Sequence, residues 1–195
     1  MSRSITESWG RGRRFGVIPL GDGRVYWCAT QSCPEGGGAG DTLDRLAARY
    51  ARWHRPIPQL LAATPDDALI RSDIHSLVTP LDSYVSGRVA LLGDAAHALT
   101  PDLGQGAAQA LEDAVTLTAF LGSGDNVEQA LARYDRARRP RAQQVVRASA
   151  QVGRIIQLRN PVAAAVRDTL ASLLPASTYL NATVKTLDWH PPRLA

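Results

Sequence analysis

Apolar positions change their period several times along the 195-residue chain. Residues 14–20 and 24–31 are two short runs rich in β-branched and aromatic side chains, separated by Gly21, Asp22 and Gly23, and this pattern predicts a β-hairpin. Val17, Ile18, Pro19, Tyr26, Trp27 and Cys28 alternate between its two faces, one of which looks at substrate, and the pattern leaves the parity open. After the glycine-rich residues 36–40, Leu43, Leu46, Ala47 and Tyr50 recur at helical spacing, with Asp41 or Thr42 as the cap. That helix stops before Pro56, and residues 57–63 make a short helical turn. Residues 68–77 read as a strand, although Leu69, Ser72 and Ile74 alternate poorly. The continuous apolar run at residues 88–92, ending at Gly93-Asp94, predicts a buried strand covered on both faces.

The rest of the chain reads as helical. From Gly106 to Leu121 one face collects Ala107, Ala110, Leu111, Ala114, Val115 and Leu121, and the other collects Gln109, Glu112, Asp113 and Thr116. A helix from residue 127 to about 138 should break at Pro140, whose ring suits the first turn of a new helix reaching toward Gln157. Pro161 starts a last helix that ends near Pro175, and the final twenty residues show no period. Hairpin, strands, buried strand and then helices make an α/β (α+β) pattern whose sheet is incomplete.

Composition narrows the function classes. Hydrophobic residues are 45% and charged residues 21%, with a mean hydropathy of −0.15, which excludes a disordered or collagenous chain. The longest charge-free stretch, residues 169–184, is interrupted by Pro175, so no membrane span is expected, and no apolar run near Met1 resembles a secretory leader. Cys28 and Cys33 lack metal-motif partners, and a reduced, cytoplasmic setting follows. The net charge of +4 comes from arginine, because Lys185 is the only lysine. Arg133, Arg136, Arg138, Arg139, Arg141 and Arg147 form a basic stretch, interrupted by Asp135 and lacking an aromatic ladder, so we read it as a solvated helix face and expect no nucleic-acid partner.

Candidate chemistry concentrates in residues 87–113. A strand ending at Asp94 delivers a carboxylate to the edge where open α/β sheets bind ligands, and such a group accepts hydrogen bonds from ligand hydroxyls. Gly104, Gln105 and Gly106 then let the backbone approach a ligand before a helix whose first N–H groups favour an anion or polarised carbonyl. A purely structural reading fits the same spacing. Asp94 could cap the short segment that follows it, and Asp102 with Gln105 matches a capping box. His97, among apolar neighbours, reads as a packed, hydrogen-bonded histidine, and the adjacent Glu112 and Asp113 diverge too far to form a two-carboxylate acid/base site.

Residues 88–113 closely resemble the second flavin-binding motif of the group A FAD-dependent monooxygenases, the para-hydroxybenzoate hydroxylase family, with Gly93-Asp94 as its Gly-Asp pair. Residues 9–20, residues 23–27 and residues 134–141 are also similar to that family. The resemblance implies an FAD/NAD(P)-binding monooxygenase fold and cofactor contacts from Gly93, Asp94, Pro101, Gly104, Gln105, Gly106, Ala107 and Ala108. Asp94 would meet the ribityl hydroxyls, Pro101 would lie beside the isoalloxazine, and the Ala107 and Ala108 N–H groups would face its pyrimidine oxygen. A helix N-terminus there stabilises the negative charge of reduced flavin by about 0.3–1 kcal/mol. The implied reaction hydroxylates or epoxidises an aromatic or olefinic small molecule with NAD(P)H and dioxygen.

The family's opening strand, Gly-x-Gly-x-x-Gly turn and helix have no counterpart here: Gly10-Arg-Gly12 is followed by Phe15 at the required position, and Gly36-Gly-Gly38 by Asp41. The resemblance therefore implies the C-terminal half of a monooxygenase. Residues 1–80 would be the remainder of a substrate-binding sheet domain, residues 81–122 the FAD-binding strand, loop and helix, and residues 123–195 a helical region. A separately encoded N-terminal half, or self-association, would complete it. The alternative is a flavin-free remnant or interaction module that needs a partner chain.

Overall fold

The computed structural model describes residues 4–38, 40–124, 126–175, 177, 178, 184 and 187–192. Met1, Ala39 of the glycine cluster, Lys185 and most of the final twenty residues lie outside these. The chain divides into two compact units, Met1–Asp73 with Ile156–Asp168, and Ile74–Ile155 with Thr169–Ala195.

The first unit is built on a three-stranded antiparallel sheet, β1 (Thr6–Trp9), β2 (Arg13–Pro19) and β3 (Val25–Gln31), in that order. The hairpin read from the sequence is β2–β3, closed where the Leu20 N–H donates to the Arg24 carbonyl at 2.9 Å. Packing sets its core face. Phe15 and Val17 turn to a core with Leu43, Leu46 and Tyr50 of α1 (Leu43–Tyr50) and Ile57 and Leu61 of α2 (Ile57–Ala62). Phe15 stacks on Trp27 at 5.3 Å and meets Tyr50 edge-on at 5.4 Å, geometries that favour aromatic pairs. Arg14, Gly16 and Ile18 share the other face with Cys28, which is close enough to Gly16 that a Cβ there would fall 2.7 Å from its Sγ. Thr42 caps α1, accepting from the Arg45 N–H, while Asp41 grips Arg49 through both oxygens at 2.7 and 2.8 Å.

Residues 68–77 do not form the expected strand. A 3-10 turn, Asp66–Ala68, opens the segment, Ile70 is 91% exposed, and its one backbone link to a distant element runs from the Leu77 N–H to the Ala98 carbonyl. β-branched residues without a partner edge do not make a strand.

The second unit holds β4 (Val85–Ser86), β5 (Val89–Ala90), α3 (Asp94–His97), α4 (Gly106–Leu121) and α5 (Val127–Ile156), and α6 (Pro161–Leu173) follows in the chain. Two readings need correction here. The apolar run 88–92 is a two-residue strand paired only with β4, and Val89 is 63% exposed rather than covered on both faces. Continuous hydrophobicity described the side chains but not the layers available to cover them. Pro140, in turn, does not divide α5, which runs unbroken through it. Proline removes one helical hydrogen bond, but Arg138 and Arg141, on either side of it, are both tied to Glu112, so tertiary bonds hold the two halves in one helix.

Candidate functional site

α4 is inverted relative to a simple amphipathic expectation. Its polar face, Gln109, Glu112, Asp113 and Thr116, is buried, whereas Leu111 is 67% exposed and Val115 and Leu121 are exposed as well. The polar face is satisfied from α5. Arg138, 1% exposed, donates through Nε to Asp113 Oδ1 at 2.7 Å, through Nη1 to Glu112, and through Nη2 to Gln109 Oε1 at 2.9 Å. Arg141 grips both Glu112 oxygens at 2.6 and 2.7 Å, Arg139 pairs with Asp135, and the Arg133 guanidinium lies 4.4 Å above the Phe120 ring. The arginine stretch is therefore a solvated face only in part: Arg133, Arg136 and Arg147 are exposed, whereas Arg138 is buried and Arg141 half-buried on the α4 carboxylates, which need cations from another helix. Glu112 and Asp113 diverge as expected and still reach one guanidinium, which spans both of them.

Asp113 carries this network to the Gly93-Asp94 turn. Its Oδ2 accepts the Gly93 N–H at 2.9 Å and His97 Nε2 at 2.5 Å, so His97 is the packed, hydrogen-bonded histidine read from the sequence. Since a carboxylate only accepts, Nε2 carries the proton, and the buried Nδ1 has no partner among the described residues. Burial opposes ionisation of Asp113, but the hydrogen bonds from His97, Gly93 and Arg138 outweigh it and hold the carboxyl below its usual range. Beside it, burial and then the Asp113 charge push the Tyr84 phenol up to about 12.

Gly93 needs to be glycine. Its φ of 54° lies in the left-handed region, and a Cβ would stand 3.3 Å from that of Ala110. Ala110 is four residues, about 6 Å along the axis, from Gly106 at the start of α4. Asp94 is the first residue of α3, exposed, and its carboxylate makes no capping hydrogen bond.

Pro101 opens a 3-10 turn, Pro101–Leu103, anchored to α5 where Ser149 Oγ donates to the Thr100 carbonyl at 2.6 Å. Gly104 ends that turn at φ 64°, and a Cβ at Gly104 or Gly106 would meet no atom within 4 Å, so the two glycines front open space. Gln105, not Asp102, is the N-cap of α4, and its own side chain supplies no capping bond. The helix begins with the Gln109 N–H bonded to the Gln105 carbonyl, leaving the Gly106, Ala107 and Ala108 N–H groups ahead of the ladder. Gln105 is buried, Ala107 exposed and Ala108 half-buried.

The chemistry of this turn fits part of a flavin: an exposed carboxylate for hydroxyls, an uncapped helix start for a polarised carbonyl, and glycines facing open space. Sequence reasoning missed the supporting residues Gln109, Glu112, Asp113, Arg138 and Arg141. Their signal was a polar stripe at i, i+3, i+4 and i+7 on α4 matched by arginines three apart on α5. Among the described residues no helix is long and apolar enough to cross a membrane.

The family model described as "FAD binding domain" matches residues 11–149. The aurachin C monooxygenase/isomerase of Stigmatella aurantiaca is 44% identical over 187 residues, 95% of this chain and 49% of that protein. The FAD-dependent urate hydroxylase of Klebsiella pneumoniae is 39% identical over 139 residues, 70% of this chain and 36% of that protein. Among solved structures, Klebsiella pneumoniae HpxO complexed with FAD and uric acid superposes with a TM-score of 0.81 at 30% identity, covering 94% of this chain and 47% of that one. The chain thus spans about half the length of these relatives. With the family model matched over most of its length, the chain belongs to the FAD-binding domain family of the group A FAD-dependent monooxygenases.

Proposed function

We propose that this chain forms the flavin-facing and substrate-facing part of an FAD-dependent monooxygenase acting on an aromatic or olefinic small molecule in the cytoplasm, with NAD(P)H as reductant. The observation that carries this reading is the Gly93-Asp94 turn locked onto α4, one helical turn from its uncapped start. Asp94 accepts hydrogen bonds from ribityl hydroxyls, and its exposed carboxylate is free to do so. The Gly106, Ala107 and Ala108 N–H groups, aligned with the positive end of α4, stabilise negative charge on the pyrimidine end of the ring. Gly104 and Gly106 allow close approach, Gln105 fixes the helix start, and Pro101, held through Thr100 and Ser149, supplies a rigid wall. When bound, FAD supplies the redox chemistry that activates dioxygen for transfer to the substrate.

The test joins this chain to the N-terminal half of the aurachin C relative and titrates FAD by flavin fluorescence. Binding is expected to appear and to be lost in Asp94→Ala; equal affinity in that variant would remove Asp94 from the site. A second reading, a flavin-free interaction module, is favoured by the exposed Val89, Leu92, Leu111 and Val115, which present apolar surface suited to a partner chain or a second copy. Stable assembly with a partner chain or a second copy, without flavin uptake even when so joined, would support it.

A further inference from the structure

The first unit contains a cleft that the flavin reading does not use. It has a volume of about 820 Å³ and lies where the β1–β2 turn meets the end of α1. Three arginines line it, Arg11, Arg13 and Arg52, and none of their side chains makes an ion pair or hydrogen bond among the described residues. This contrasts with the second unit, where most arginines near the buried carboxylates are paired. The cleft's one carboxylate, Glu7, is already engaged: it accepts from Trp9 Nε1 at 2.7 Å and pairs with Arg14 at 3.6 Å. His54 is committed too. Its Nδ1 lies 2.7 Å from the Arg55 carbonyl, to which it donates, and its Nε2 lies 2.7 Å from Ser8 Oγ, so both ring nitrogens are already used. The cations left to a ligand are the three guanidiniums.

Two indoles complete the walls. Trp53 is held rigidly, edge-on to Tyr50 at 4.8 Å and against Gly10, where a Cβ would fall 2.9 Å from the ring. Trp9 is held by its bond to Glu7, and Arg167 lies 5.7 Å from its ring. Guanidinium groups match phosphate oxygens in pairs, and three of them suit the double charge of a phosphomonoester better than the single charge of a diester. Flat, fixed indoles suit a stacked base.

We propose that this cleft binds an adenine nucleotide that bears a phosphomonoester, with the phosphate on Arg11, Arg13 and Arg52 and the base against Trp9 or Trp53. The proposal stands apart from the flavin site, and its test uses no flavin. Adenosine 2′,5′-bisphosphate, adenosine and inorganic phosphate are titrated into the purified chain by calorimetry at low salt. The bisphosphate is expected to bind at least tenfold more tightly than either fragment, with an affinity that falls as salt rises. Arg52→Gln should weaken it about tenfold, as expected for loss of one charge-assisted hydrogen-bonding group. The triple variant Arg11→Gln, Arg13→Gln, Arg52→Gln should abolish binding while keeping the wild-type melting temperature, because these side chains lie at the surface of the cleft.

Comparison of NADP⁺, NAD⁺ and ATP separates the sources of the same chemistry. Preference for NADP⁺ over both others makes the occupant the phosphorylated dinucleotide, and equal binding of ATP and NADP⁺ makes it a nucleotide phosphate of either origin. Bisphosphate binding no tighter than inorganic phosphate, or unchanged in the folded triple variant, overturns the proposal.

Discussion

Asp113 shows how one residue links stability to the site. Its two oxygens serve Gly93, His97 and Arg138, so it both neutralises a buried cation and fixes the turn that presents Asp94. Asp113→Asn keeps the shape but removes the charge that Arg138 requires, and is expected to cost about 3 kcal/mol in urea unfolding, the usual result of breaking a buried pair from one side. The pH dependence has a defined sign. The folded carboxyl ionises below its ordinary value of 3.8, so the stability it contributes is complete above that value and is lost as pH falls through the lower folded value. The wild-type chain should therefore lose stability more steeply than the Asn variant as pH falls below about 4, as read from melting temperatures across the acid range. Gly93→Ala tests the same junction sterically. With φ at 54° and a Cβ approach of 3.3 Å to Ala110, it is expected to destabilise by about 1–2 kcal/mol and to misplace Asp94.

At the scale of elements, α5 continues through Pro140 because Arg138 and Arg141 grip α4 on both sides of the ring. Pro140→Ala restores the missing backbone hydrogen bond at an exposed position, and a gain of about 2 kcal/mol in unfolding free energy is expected; a loss would show that the proline conformation is itself required. The bounds of α4 and α1 were legible from helical spacing, and the β2–β3 hairpin from its glycine turn, because those signals are local. The facing of α4 was not legible. A single helix pattern cannot show that its polar stripe meets Arg138 and Arg141 some thirty residues later, and burial of that stripe reverses the usual rule. β1 was missed because Thr6, Glu7 and Ser8 carry no apolar alternation, and its pairing comes from β2 alone. Residues 68–77 failed in the opposite sense, with β-branched side chains and no partner edge. At the site, glycines and Asp94 were visible as a motif, whereas the residues that hold them in place were visible only as charges.

For the whole molecule, the two units each have a core, yet the second leaves Val89, Leu111 and Val115 exposed. Exposed apolar side chains favour association, so sedimentation at micromolar concentration should show self-association, and Leu111→Glu with Val115→Glu should reduce it. A monomer that unfolds in one cooperative step would count against this. The chain contains no Gly-x-Gly-x-x-Gly unit following a strand, so its affinity for FAD on its own should be weak, since pyrophosphate contacts at a helix start are a main anchor for dinucleotides. Weak binding is well suited to mapping by amide chemical shifts in a 20.9 kDa chain. Titration of the ¹⁵N-labelled protein with FAD therefore tests the central claim most directly: shifts are predicted to concentrate at Gly93, Asp94 and Gly106–Ala108 and to vanish in Asp94→Ala, whereas shifts centred elsewhere, or unchanged in that variant, would contradict it.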